Sequence, residues 1–158
     1  MDNTVFYLQF ALSLVVYGLL AAWFIVPWLR RMPRPRAILI LIVPHAFRSL
    51  GLYALTQAAF DPAIPQSWAN VTAYGDAIAQ VTAMLALIAL HYEWRAAIAC
   101  AWLCNIAGSL DFAVSMYVSI TTHVPVHLLY AGWFLPVFFL PLLLWSHLYL
   151  YRFLMLRE

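Results

Sequence analysis

The chain has 158 residues, of which 66% are hydrophobic and only 9% charged, where soluble domains carry roughly a quarter. Together with a mean hydropathy of +0.89, this excludes an ordinary water-soluble fold and leaves almost no chain for a soluble module. The net charge of +2 comes from eight arginines and no lysine, which removes retinal or pyridoxal Schiff bases and lysine-containing phosphate loops from consideration.

Five apolar stretches follow one another, at approximately 5–29, 37–60, 68–91, 96–120 and 128–151. Each is long enough for a helix to cross a hydrocarbon core of ~30 Å. The connections "RRMPRPR", "DPAIPQS", "YEWR" and "TTHVPVH" are short, so neighbouring spans must run in opposite directions. Backbone polar groups in lipid are satisfied only within helices or closed barrels, and these runs lack strand alternation. The expected fold is an all-α membrane protein, a single five-transmembrane-helix antiparallel bundle.

The first span has no basic leader, is too long for a signal-peptide core and is followed by an arginine block, so it reads as a retained helix. Arg30, Arg31, Arg34 and Arg36 fill the first loop, Arg95 lies in the third, and Arg152 and Arg157 follow the last span. This asymmetry places the N-terminus outside and the C-terminus in the cytoplasm, with a bacterial inner membrane as the expected location. Aromatic residues fall at both interfaces, with Trp68, Tyr130 and Trp133 on the outer side and Trp28, Trp94 and Trp145 on the inner.

The second span carries Pro44, His45 and Arg48 within "VPHAFRSLG". Proline deprives the Ile40 carbonyl of its helical donor and predicts a kink. In the third span Asp76 and Gln80 lie on a stripe of small residues, among them Ala69, Ala73 and Ala83, of the kind that faces another helix. The fourth span aligns Cys100, Cys104, Gly108, Asp111 and Ser115 beside Asn105, which predicts a central helix. The cysteines read as small packing residues, four apart in one helix and unable to pair there. The fifth span, rich in Phe and Leu and bent by Pro136 and Pro141, is expected to face lipid or a partner, with His147 at the inner interface.

Counting ~1.5 Å per residue from the span ends brings Arg48, Asp76 and Asp111 to similar depth, with His45, Gln80 and Asn105 on the cytoplasmic side of them. An ionisable residue in a membrane costs roughly 2.5 to 3.5 kcal/mol on insertion scales, so the arginine is expected between the two aspartates, whose oxygens suit its planar fork. One guanidinium against two carboxylates leaves −1. A proton on an aspartate or on His45 would cancel it, which makes the cluster proton-sensitive. The same residues serve equally well as a lock on helix register.

Two further constellations are weaker. His123 and His127 in "HVPVH" would share a face if one helix held both, yet two ligands are too few for a metal site. His45 and His147 could flank a haem from different helices. No nucleophile elbow, zinc-protease motif or dinucleotide fingerprint is present. Five spans rich in Trp and Pro resemble, in outline, the tryptophan-rich sensory proteins, but their loop signature is missing, and outline alone transfers no residues.

Three functional classes fit. The favoured one is a small-molecule or proton binding or transport protein using His45, Arg48, Asp76, Gln80, Asn105 and Asp111. The second is an accessory or assembly subunit whose cluster only holds the fold, which predicts a bundle without a cavity. The third is an intramembrane enzyme acting on a lipid-like substrate through His or Asp acid-base chemistry. No cofactor, metal or nucleic acid is expected. The expected partners are the bilayer, a small or lipid-like ligand, and a second copy or a partner membrane subunit.

Overall fold

The computed structural model describes residues 3–56 and 60–155, and every regular element among them is helical. Five helices are long and apolar enough to cross a membrane: α1 (Asn3–Leu29), α2 (Arg34–Leu55), α3 (Gln66–His91), α4 (Ala97–Thr121) and α5 (Leu135–Met155). Arg157 lies outside the described residues. A 3-10 segment, Val126–Trp133, precedes α5.

Side-chain contacts give the helix directions. Arg48 of α2 meets Asp76 of α3, Trp68 of α3 donates to Ser119 of α4 at 2.8 Å, and His147 of α5 donates to Asn105 of α4. Arg34 at the start of α2 donates to the carbonyls of Phe153 and Leu154 at the end of α5, at 3.0 and 2.8 Å. A cation beside the last carbonyls of a helix complements the helix dipole. The first loop and the end of α5 therefore share one end of the bundle. An apolar core that includes Leu29, Ile38, Ile42, Leu90 and Leu150 closes that end.

Two span boundaries are corrected. The fifth span begins at Leu135 rather than near residue 128, because the backbone leaves helical geometry at Tyr130 (φ 40°, ψ −125°) before the helix can start. The second span ends at Leu55 rather than reaching Phe60, and its residues 57–59 lie outside the described ones. The fifth span is also the most buried of the five, at 44% of its apolar window, whereas α1 is the least, at 17%. Its aromatic composition pointed outward, but Leu143, Ser146, His147 and Leu150 form an inward face. Every span exposes apolar side chains, and α1 exposes the most, Tyr7, Leu12, Val15 and Phe24 among them.

At Pro44 α2 changes helix type: Arg34–Ile42 is α-helical and Val43–Leu55 is a 3-10 helix of 13 residues. The Ile40 carbonyl that proline deprives of its usual donor accepts the Val43 N–H instead. Runs of 3-10 helix beyond three or four residues are uncommon, so the length of this one calls for a cause. The buried residues of the run are His45, Arg48, Gly51 and Ala54, each three apart. At three residues per turn they stack in a straight line. Wound as an α-helix, each step of three would fall ~60° short of a full turn, and Ala54 would point away from His45.

The other proline-bearing helices carry π-turns. In α1, Ala21–Ile25 precedes Pro27, and in α5, Leu135–Phe139 contains Pro136 and precedes Pro141. Helices α3 and α4 are regular and pack extensively on each other, and α3 packs as extensively on the 3-10 part of α2.

Candidate functional site: a buried Arg/Asp/Asp cluster at the base of a cavity

Arg48 sits at the centre of the bundle, 3% exposed. Its Nε donates to Asp76 Oδ1 at 2.7 Å, its Nη2 to Asp111 Oδ2, and its Nη1 to His147 Nε2 at 3.4 Å. All three guanidinium nitrogens thus have an acceptor. The two aspartates come from the regular helices, and the arginine and histidine come from the irregular ones.

Donor and acceptor capacity fixes the tautomers of both histidines, because guanidinium only donates. His147 Nε2 must carry the lone pair, so its Nδ1–H donates to Asn105 Oδ1 at 2.6 Å. The Ser146 hydroxyl donates to the Leu41 carbonyl at 2.5 Å and is left to accept from His45 Nε2–H at 3.0 Å. The two imidazole rings lie 4.2 Å apart between centroids. His45 Nδ1 and Asn105 Nδ2 are buried and have no hydrogen-bond partner.

Of the six residues singled out in the sequence, the structure joins Arg48, Asp76 and Asp111 directly. Asn105 connects through His147, and His45 through Ser146 and the ring contact. Gln80 is not joined to them: its Oε1 is buried and makes no hydrogen bond. His147 and Ser146 are members that the sequence reading left out, His147 having been placed at the inner interface. His123 and His127 do not share a helix face, because His123 is a loop residue at φ 49° and His127 belongs to the separate 3-10 segment.

Three glycines make room for the cluster. A Cβ on Gly51 would overlap the Asp76 carboxylate, and one on Gly75 would overlap that of Asp111. On Gly108 it would lie 2.5 Å from His147 Cε1 and 3.0 Å from Arg48 Nη1. All three have ordinary helical φ, so the absence of a side chain serves close approach rather than backbone shape.

From this cluster a cavity of about 160 Å³ extends toward the loop end of the bundle. Its base is Arg48, Asp76 and Asp111, and its walls include Phe60, Trp68, Phe112, Leu129, Phe139 and Leu143. The Thr72 hydroxyl in the wall is buried without a partner. Phe60 covers the loop end, lying over Gly132, where a Cβ would overlap its ring. The covering loops are held together by the Tyr130 hydroxyl donating to Asp61 Oδ2 at 2.5 Å and the Asp61 N–H donating to the Leu128 carbonyl at 2.9 Å.

No curated protein and no solved structure matches the chain. A family model matches residues 5–155, almost its whole length, and the chain belongs to that family, described as Domain of unknown function (DUF8737).

Proposed function

We propose that this chain is an integral membrane protein that binds a small molecule or a proton at Arg48, Asp76 and Asp111, reached from the outer face, as part of transport. In this reading the N-terminus is outside and the first and third loops and the C-terminus are cytoplasmic, following the arginines. The observation that carries it is the cavity whose base is the ionic cluster. A cluster serving only as a register lock needs no space beside it, and bundles built that way pack it shut. The apolar core at the arginine end supports access from the opposite side. Irregular helices α1, α2 and α5 set against the regular pair α3 and α4 support movement of one group against the other, since interrupted helices at membrane depth line cavities in transporters.

The test uses purified protein in detergent. Trp68 lines the cavity, so a bound molecule should shift tryptophan emission and raise the unfolding midpoint. Leu129→Phe, which grows into the same space, should abolish both effects while the variant stays folded. Ligand responses unchanged by Leu129→Phe would place binding elsewhere and overturn the reading. For orientation, Cys100 and Cys104 are replaced by Ala and single cysteines are placed at positions 31 and 123. An impermeant maleimide on intact cells should label position 123 and spare position 31, and the reverse pattern would overturn the topology.

A further inference from the structure

We propose that the cavity selects a small organic monocation, a protonated primary amine on a body of about one aromatic ring. The inference rests on the binding reading above and names its ligand class.

Charge decides first. The base of the cavity holds one guanidinium and two carboxylates, and His147 contributes a lone pair rather than a proton toward Arg48. With both acids ionised the group is one positive charge short, and an unpaired charge away from water is costly. The neighbouring carboxylates then disfavour the opposite class. Arg48 commits three of its five N–H groups to acceptors of the protein, and an anion taken by the two that remain would stand beside Asp76 and Asp111 with no further cation to offset the repulsion. The carboxylates, in contrast, have room for donors. An ionised carboxylate offers about four lone-pair positions, and Arg48 takes one on Asp76 and one on Asp111. An ammonium group presents three N–H donors and no acceptor.

Size and walls supply the rest of the ligand. An apolar cavity of roughly 150 Å³ holds a benzene molecule, and the cavity here is about 160 Å³. Phe60, Trp68 and Phe139 line it, and aromatic faces attract a cation as well as a ring. Thr72 adds an unpartnered hydroxyl in the same wall.

The test titrates three probes of one shape and different charge, benzylamine, benzyl alcohol and benzoate, into detergent-purified protein at pH 8. Tryptophan emission and the unfolding midpoint are read, with Leu129→Phe as the control for partition into the micelle. Benzylamine should bind about tenfold or more tighter than benzyl alcohol, on the strength of a charged hydrogen bond, and benzoate should not bind. Asp111→Asn should erase the preference for the amine while keeping the response to the alcohol. Asp76→Asn is the second variant should Asp111→Asn not fold. Equal affinity for amine and alcohol, or tighter binding of benzoate, would overturn the cation class and leave the binding site standing. If none of the three moves either readout, the cation class and the binding reading fall together.

Discussion

Gly108→Ala turns the packing around the cluster into a question of sign. In an ordinary helix interior, glycine to alanine stabilises by about 0.5 to 1 kcal/mol through backbone entropy, and Gly108 has no positive φ to forbid it. Here the new methyl would stand 2.5 Å from His147 Cε1 and 2.8 Å from its Nε2, where ordinary contact begins at 3.4 Å. Arg48 Nη1 at 3.0 Å closes the other side. The imidazole must retreat by most of an ångström, and its neighbours His45 and Asn105 are themselves fully buried. Overpacking of this kind costs about 1 to 3 kcal/mol, and loss of the bond from Arg48 to His147 adds about 1.5 kcal/mol. Set against the helix gain, the net is a destabilisation of about 1.5 to 4 kcal/mol. The assay is unfolding in mixed micelles by SDS titration, followed by circular dichroism. Gly108→Ala in a His147→Ala background should lose most of its cost, giving a coupling of about 2 to 3 kcal/mol. A Gly108→Ala protein as stable as wild type, or more so, would refute the packing described for α2, α4 and α5.

Arg48→Met should destabilise by about 3 to 5 kcal/mol, because it leaves two facing carboxylates unpaired in the bundle; adding Asp76→Asn and Asp111→Asn should recover most of that in the same titration. The loop contact between Asp61 and Tyr130 has its own pH window. Hydrogen bonds from the Tyr130 hydroxyl and the Ala63 N–H hold the Asp61 carboxyl below the usual range, and the same bond to Asp61 holds the Tyr130 phenol above its usual one. A depressed acid stabilises above its unfolded value of about 3.9 and loses this as pH falls through the folded value. A raised phenol stabilises below about 10 and loses this as pH rises through its folded value. Tyr130→Phe should therefore lower the unfolding midpoint equally at pH 5 and pH 9, and a difference between the two would refute the assignment. Cys104 is 1% exposed in the core while Cys100 is half-buried, so N-ethylmaleimide should modify Cys100 first and reach Cys104 only on unfolding, as read by mass spectrometry.

The five spans and the meeting of Arg48 with two aspartates were legible because both follow from one-dimensional quantities, apolar length and depth along a helix. His147 was not. Its apparent place near the membrane surface came from ending the fifth span at residue 151, and the positive φ that delays the helix to Leu135 falls on Tyr130, a residue type that does not announce it. With the helix running to Met155, His147 moves inward by one turn, to the level of His45. The three-residue spacing of His45, Arg48, Gly51 and Ala54 was visible, but a threefold period is also half of the ordinary helical pattern. Only the partners on α3 and α5 distinguish the two. The glycines were legible as residues and not as gaps, since what each makes room for lies on another helix.

The 3-10 winding of α2 also sets a length. Thirteen residues at ~2.0 Å each cover about 26 Å, and the same residues as an α-helix at ~1.5 Å would be about 6 Å shorter. That difference is about a fifth of the ~30 Å hydrocarbon core. Arg48 reaches Asp76 and Asp111 from within this stretched winding, so the charge state of the cluster is predicted to influence the bilayer thickness that α2 matches. Mismatch costs fractions of a kcal/mol per Å, so a chain with a neutralised cluster should sort toward thinner membranes than the wild type.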